Sequence, residues 1–229
     1  MELANTSNRL QTTDSSKAVT RGLLAAGVLV APFFYVVAIA QIFIRPGFDI
    51  RHLAISSLTL GDLGWIQSAN FEITGLLLIA GGIGVRRALQ GRRGGTWAPI
   101  LLSVAGLGTI VAGFFHPDPA LGFPPGAPSG MPSTMSVPAT VHQLAAMLTF
   151  GCTIAFCFVM ARRFSGEGRR RWMAYCLASG IVAPVLLGLA MTDRDWVGVL
   201  LASMVAVAFG CVSVVAARLR AETYSAVRS

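Results

Sequence analysis

Six apolar stretches of membrane-crossing length, at 21–44, 64–85, 96–115, 137–161, 171–191 and 196–217, leave this 229-residue chain room for little but spans and short connections. About 20 consecutive apolar residues cross the hydrocarbon core as an α-helix, because a helix pairs its own backbone donors and acceptors where no water can. The fold class expected is therefore all-α: a polytopic membrane protein built as a six-transmembrane-helix bundle. Charged residues make up only 12% of the chain, against about 25% in soluble domains. The polar segments at the ends predict a disordered cytoplasmic tail over 1–20 and a second tail over 220–229, around one membrane domain at 21–219.

Orientation follows from where the Lys and Arg residues fall. Of the 18, only Arg45, Arg51 and Arg194 lie in the connections at 45–63, 116–136 and 192–195; the rest cluster at the termini and at 86–93 and 162–171. Basic residues are retained on the cytoplasmic side, so both termini are expected there and the three basic-poor connections outside. This places the chain as a multi-pass protein of a bacterial cytoplasmic (inner) membrane. The net charge of +8 is then a topology signal that suits anionic headgroups, not a nucleic-acid footprint. Membrane lipids are the expected partners. Whether the chain also pairs with itself or with another membrane protein is left open.

Inside the bilayer, helices associate by close approach rather than by hydrophobic exclusion. Gly75, Gly81, Gly82 and Gly84 on the second span and Gly106, Gly108 and Gly113 on the third predict a tightly packed pair. Cys152, Cys157, Cys176 and Cys211 all fall within apolar runs and read as small buried hydrophobes. Pro184 is the expected mid-span kink.

The polar residues concentrate in two outer connections. In the first, Asp49 is placed to cap a helix and Phe48 to pack on Leu53, with Ile50, Leu53, Ala54, Ser57 and Leu58 on one face; this predicts a short interfacial helix. In the second, the prolines between Pro117 and Pro128 forbid a helix and predict a stiff lid. An outward-facing polar pocket is expected between them, with Arg51, His52, Ser56, Trp65, Asp118 and His142 as walls and Asn70 and Glu72 below. Glu72 lies about 10 Å along its helix from Trp65, and a carboxylate at such depth is a functional-site candidate by default.

Three chemistries suit these residues. The first is binding of a lipid or small amphiphile. In the second, His52, His116 and His142 hold zinc, the composition of a hydrolytic centre acting on lipid or acyl substrates. Asp118, Glu72 and Ser57 are the catalytic candidates for that reading, although no H-x-x-x-H pair supports the metal. The third is proton-coupled transport through Glu72. The residues do not decide whether the chain is an enzyme.

Arg45-Pro46-Gly47-Phe48-Asp49, Ile55-Ser56-Ser57-Leu58, Gly64-Trp65-Ile66-Gln67 with Asn70-Phe71 and Gly75, then Asp118, Gly122-Phe123-Pro124-Pro125-Gly126 and His142 together resemble a bacterial membrane-protein family. It is known as domain of unknown function nine-nine-eight. The resemblance runs from the first span to the sixth and implies a six-span bundle with these motifs on its outer face; it implies no activity.

Overall fold

The computed structural model describes the backbone of residues 2–225 and the side chains of residues 15–223. Its helices are α1 (Glu2–Ile44), α2 (Gly64–Ala88), α3 (Trp97–Phe114), α4 (Val137–Gly166), α5 (Arg170–Thr192) and α6 (Val197–Ser225), with a 3₁₀ turn at Ile55–Thr59. All six are long and apolar enough to cross a membrane, so the chain is a six-span membrane protein, as expected. Residues 15–20, expected in the first tail, continue α1, and Thr20 is buried with its hydroxyl accepting from Arg87 Nε at 3.0 Å. The side chains at 1–14 and 224–229, in the two expected tails, lie outside the described residues.

Neighbouring helices pack in chain order and α6 returns to α1, closing a six-membered ring that α4 and α6 bridge. Glycine sets the closest approaches. A Cβ on Gly75 would stand 2.5 Å from the carbonyl oxygen of Gly106, and one on Gly106 would stand 2.5 Å from that of Gly75. The α2–α3 pair is thus a backbone-to-backbone crossing that no other residue type fits, which is how helices gain contact where lipid competes for every larger apolar side chain. Gly81 and Gly27 repeat the arrangement between α2 and α1. Pro184 lies inside α5 as expected, as Pro32 does inside α1.

An even number of crossings puts both termini on one face of the bundle, with the basic clusters. The opposite face carries the segments 45–63, 115–136 and 193–196, and is called the loop face below. The helix expected from Asp49 is replaced there by a turn and the later five-residue 3₁₀ segment. Two bonds explain the difference. Asp49 Oδ1 accepts from its near neighbour Arg51 N at 3.0 Å, an Asx turn that competes with helix formation. The Arg51 carbonyl is taken by Gly198 N at 3.0 Å, at the start of α6, and so is withdrawn from any i→i+4 bond. Phe48 packs edge-on against Phe123, 5.3 Å between ring centres, rather than stapling a helix.

Candidate functional site

The loop face is closed by an interlock between the two motif-bearing connections, and its centre is Arg45. This side chain is only 7% exposed. Its guanidinium donates to the Leu58 carbonyl at 3.0 Å and to the Leu60 carbonyl, tying the end of α1 to the 3₁₀ turn. On its other side it lies 5.3 Å from the centre of the Phe123 ring, within cation–π range. Burial lowers the Arg45 pKa from its usual value, and Asp62 opposes that effect by favouring the charged form.

The second connection is held in place by its own polar bonds. Asp118 Oδ2 accepts from Ser136 N at 2.9 Å, and Ser136 Oγ caps α4 by accepting from Ala139 N at 3.2 Å. The bond to Ser136 holds the Asp118 carboxyl below its usual pKa. Gly122, at φ 75°, takes the left-handed backbone that lets the loop reverse between Leu121 and Phe123. The stiff lid expected from the prolines is therefore pinned at its base by Asp118 and at its tip by Phe123.

Beneath the first connection is a cavity of about 140 Å³. Its roof is the start of the 3₁₀ segment, Ala54, Ile55 and Ser56, and its walls are mainly apolar residues of all six helices, among them Phe34, Phe71, Met147, Phe150, Leu201 and Phe209. Thr109 and Thr149 also line it, but their hydroxyls are engaged by the Ala105 carbonyl at 2.8 and 3.2 Å, which satisfies the polar atoms of both side chains. Ser56 and Gln143 are the less buried polar members of the lining, and the imidazole is the buried one. His142 is 5% exposed, and its Nδ1 lies 3.0 Å from the Ala112 carbonyl and 2.8 Å from that of Phe115. Two acceptors at one nitrogen require that nitrogen to carry the proton. Nε2 is left as the group that His142 offers to an occupant.

A second polar group is buried deeper, between α1 and α2. Gln41 Nε2 donates to Gln67 Oε1 at 2.8 Å; Asn70 Nδ2 donates to the same oxygen at 3.1 Å and to the Phe34 carbonyl at 3.0 Å. Thr74 Oγ1 follows at 3.4 Å from Asn70 Oδ1. Asn70 thus serves as an interhelical hydrogen-bonding group and does not floor the cavity.

The remaining expected site residues are dispersed. Arg51 pairs with Asp49 at 2.7 Å on the exposed surface, and its hydrogen bonds bring the Asp49 pKa down to about 2. His52 Nδ1 lies 3.3 Å from the Arg194 carbonyl. His116 Nε2 meets Ser68 Oγ at 3.1 Å on the outside of the α2–α3 pair, so Ser68 partners this histidine and not Glu72. Trp65 is 67% exposed, and Glu72 lines an external groove with it. The single pocket expected from the sequence is therefore several separate places, of which Ser56 and His142 share the internal cavity. Among the described residues, no three His, Cys, Asp or Glu side chains converge to hold a metal ion, and His52, His116 and His142 each face different partners. Ser57, Asp118 and Glu72 do not line the cavity.

Sequence reasoning did not single out Gln41, and it noted Arg45, Gln67 and Phe123 as motif residues without assigning them to the site. Arg45 carried a signal: it is a basic residue on the basic-poor side, next to the end of a span, where topology gives no reason for it. Compared with known proteins, residues 28–218 match the sequence model of a family described as protein of unknown function (DUF998). No curated protein and no solved structure matches the chain.

Proposed function

The chain belongs to the DUF998 family, described as proteins of unknown function, and from that premise we propose that it binds the apolar chain of a lipid or small amphiphile in the cavity beneath Ala54, Ile55 and Ser56, with the loop face on the outer side of the membrane. The observation that carries this reading is the composition of the cavity wall: mainly aromatic and aliphatic side chains, drawn from all six helices, with few polar groups, Ser56, His142 and Gln143 beside two threonines whose hydroxyls are engaged. Few convergent polar groups on an apolar wall are the usual make-up of a small-molecule site. The wall excludes a hydrated ion, which would lose its water with nothing in exchange. It accepts a hydrocarbon chain, and Nε2 of His142 accepts a hydrogen bond from a hydroxyl or protonated acid at the chain's head.

The uneven distribution of basic residues supports an outward loop face. Chemistry on the occupant has no comparable support, because the nucleophile, base and metal candidates do not meet at the cavity. Ala146→Phe tests the reading, since Ala146 lines the cavity and the larger ring occupies it. Native mass spectrometry of detergent-purified protein is expected to show an amphiphile adduct on the wild type that is lost from Ala146→Phe, with the melting temperature of the variant maintained. Equal adducts on both proteins would overturn it.

A further inference from the structure

The external groove between α2 and α3 is independent of the internal cavity and carries a different chemistry. Trp65, Ser68 and Glu72 lie at i, i+3 and i+7 on α2, which puts them in one stripe. Phe114 and His116 face that stripe from the end of α3, and Gly61 and Asp62 close its upper end; together they line an open volume of about 490 Å³. A Cβ on Gly113 would stand 3.0 Å from the Ser68 carbonyl and 3.3 Å from Glu72 Cγ, so it is the bare backbone at Gly113 that leaves room at this level.

Asp62, Glu72 and His116 are the ionisable side chains that line this groove, and His116 is engaged by Ser68 Oγ at 3.1 Å and the Gly113 carbonyl at 3.2 Å. Asp62 is opposed by Arg45, whose charged form it favours. Glu72 has no hydrogen bond or ion pair among the described residues. It sits two turns into a membrane span, where a carboxylate is costly unless it is paired or reaches water. The two rings at the rim, Trp65 and Phe114, are 67% and 66% exposed, and an aromatic face beside a carboxylate is the recurrent seat of an alkylammonium group. Trp65 stands in the first turn of α2, the level at which tryptophan marks the membrane interface. Exposed Ile73 and Leu76, farther along the same helix, offer apolar surface to a lipid tail.

The geometry points to a seat for the ammonium headgroup of a membrane lipid, with Glu72 as the counter-charge, the Trp65 and Phe114 rings flanking the cation and the acyl chains lying along α2. The groove needs no occupant in the internal cavity, so the two proposals stand or fall separately.

The test is competitive lipid retention in native mass spectrometry, with ethanolamine and glycerol phospholipids of identical acyl chains. The wild type is expected to retain the ethanolamine lipid about tenfold better, the scale of one charge-assisted contact. Glu72→Gln and Trp65→Leu are each expected to remove most of that preference. Trp65 is mostly exposed, so its variant provides a reading even if Glu72→Gln does not fold. Soluble phosphoethanolamine at matched concentration is expected not to displace the lipid. Equal retention of the two lipids by the wild type, an unchanged preference in Trp65→Leu, or displacement by the soluble amine would overturn the assignment. Ala146→Phe should leave this preference intact.

Discussion

The Arg45 guanidinium lies 5.3 Å from the centre of the Phe123 ring, joining the end of the first span to the tip of a loop nearly 80 positions later in the chain. The same group bonds two carbonyls of the intervening connection. Lid and bundle are therefore joined through one buried cation. Arg45→Met is expected to destabilise the protein by about 3 kcal/mol, from the loss of hydrogen bonds made by a charged donor and from leaving two carbonyl acceptors without that donor. Arg45→Lys keeps the charge but cannot bridge both carbonyls in one plane, and should fall between. Thermal melts in detergent, with limited proteolysis of the lid, check the order; equal stability of all three proteins would contradict it.

His142 separates support from recognition. His142→Ala removes the donor shared by the Ala112 and Phe115 carbonyls and should cost roughly 1–3 kcal/mol. His142→Asn can place an amide N–H where Nδ1 stood but has nothing at Nε2. It should recover most of the stability and none of the selectivity for hydroxyl-bearing or acid amphiphiles. Melting temperature and adduct composition, measured on the same samples, distinguish the two roles; recovery of both in the asparagine variant would show that Nε2 does not recognise a headgroup.

Gly75→Val should fail to give a folded monodisperse protein, because its Cβ alone would stand 2.5 Å from the Gly106 carbonyl oxygen. Gly151→Ala, on α4 with open space around the added Cβ, should be neutral or slightly stabilising, since alanine is the better helix former by about 1 kcal/mol. Size-exclusion profiles after identical extraction compare them, and a well-behaved Gly75→Val protein would contradict the crossing.

The Asp49 corner has a defined acid response. Its carboxyl titrates at about 2 in the folded protein because Arg51 bonds it, against about 3.9 for a free aspartate. A depressed folded pKa contributes stability that is complete above the unfolded value and is lost as the pH falls through the folded one. The corner should therefore be unchanged from pH 7 to pH 5 and loosen between about 4 and about 2. The contribution is small because the pair is exposed. Amide exchange at Arg51, whose N–H donates to Asp49, reports it locally; loosening already between pH 7 and pH 5 would contradict it.

The six spans and the α2–α3 crossing were legible in the sequence because length, apolarity and glycine content do not depend on how each helix is rotated. The site was less legible because it does. Asn70 and Glu72 were read as one pocket floor, yet two residues are about 200° apart around a helix. The structure turns Gln67, Asn70 and Thr74 into the bundle and Trp65, Ser68 and Glu72 out of it. Both stripes follow i, i+3, i+7 spacing and were visible as such, but in a helix apolar on nearly all sides nothing in the sequence says which stripe faces the core. The zinc reading needs His116 and His142 to meet, which side-by-side packing of their helices would favour. They do pack, but one ring bonds Ser68 outside and the other enters the cavity.

The most direct test of the internal site is photolabelling of purified protein with a fatty acid that carries a diazirine on its chain and a free carboxyl, followed by peptide mapping. The account predicts labels on α4 between Gln143 and Phe150 and on α6 between Leu201 and Phe209, competed by unlabelled fatty acid and absent from Ala146→Phe. Labels confined to outward-facing residues such as Phe43 and Leu107, and unaffected by Ala146→Phe, would contradict the internal site.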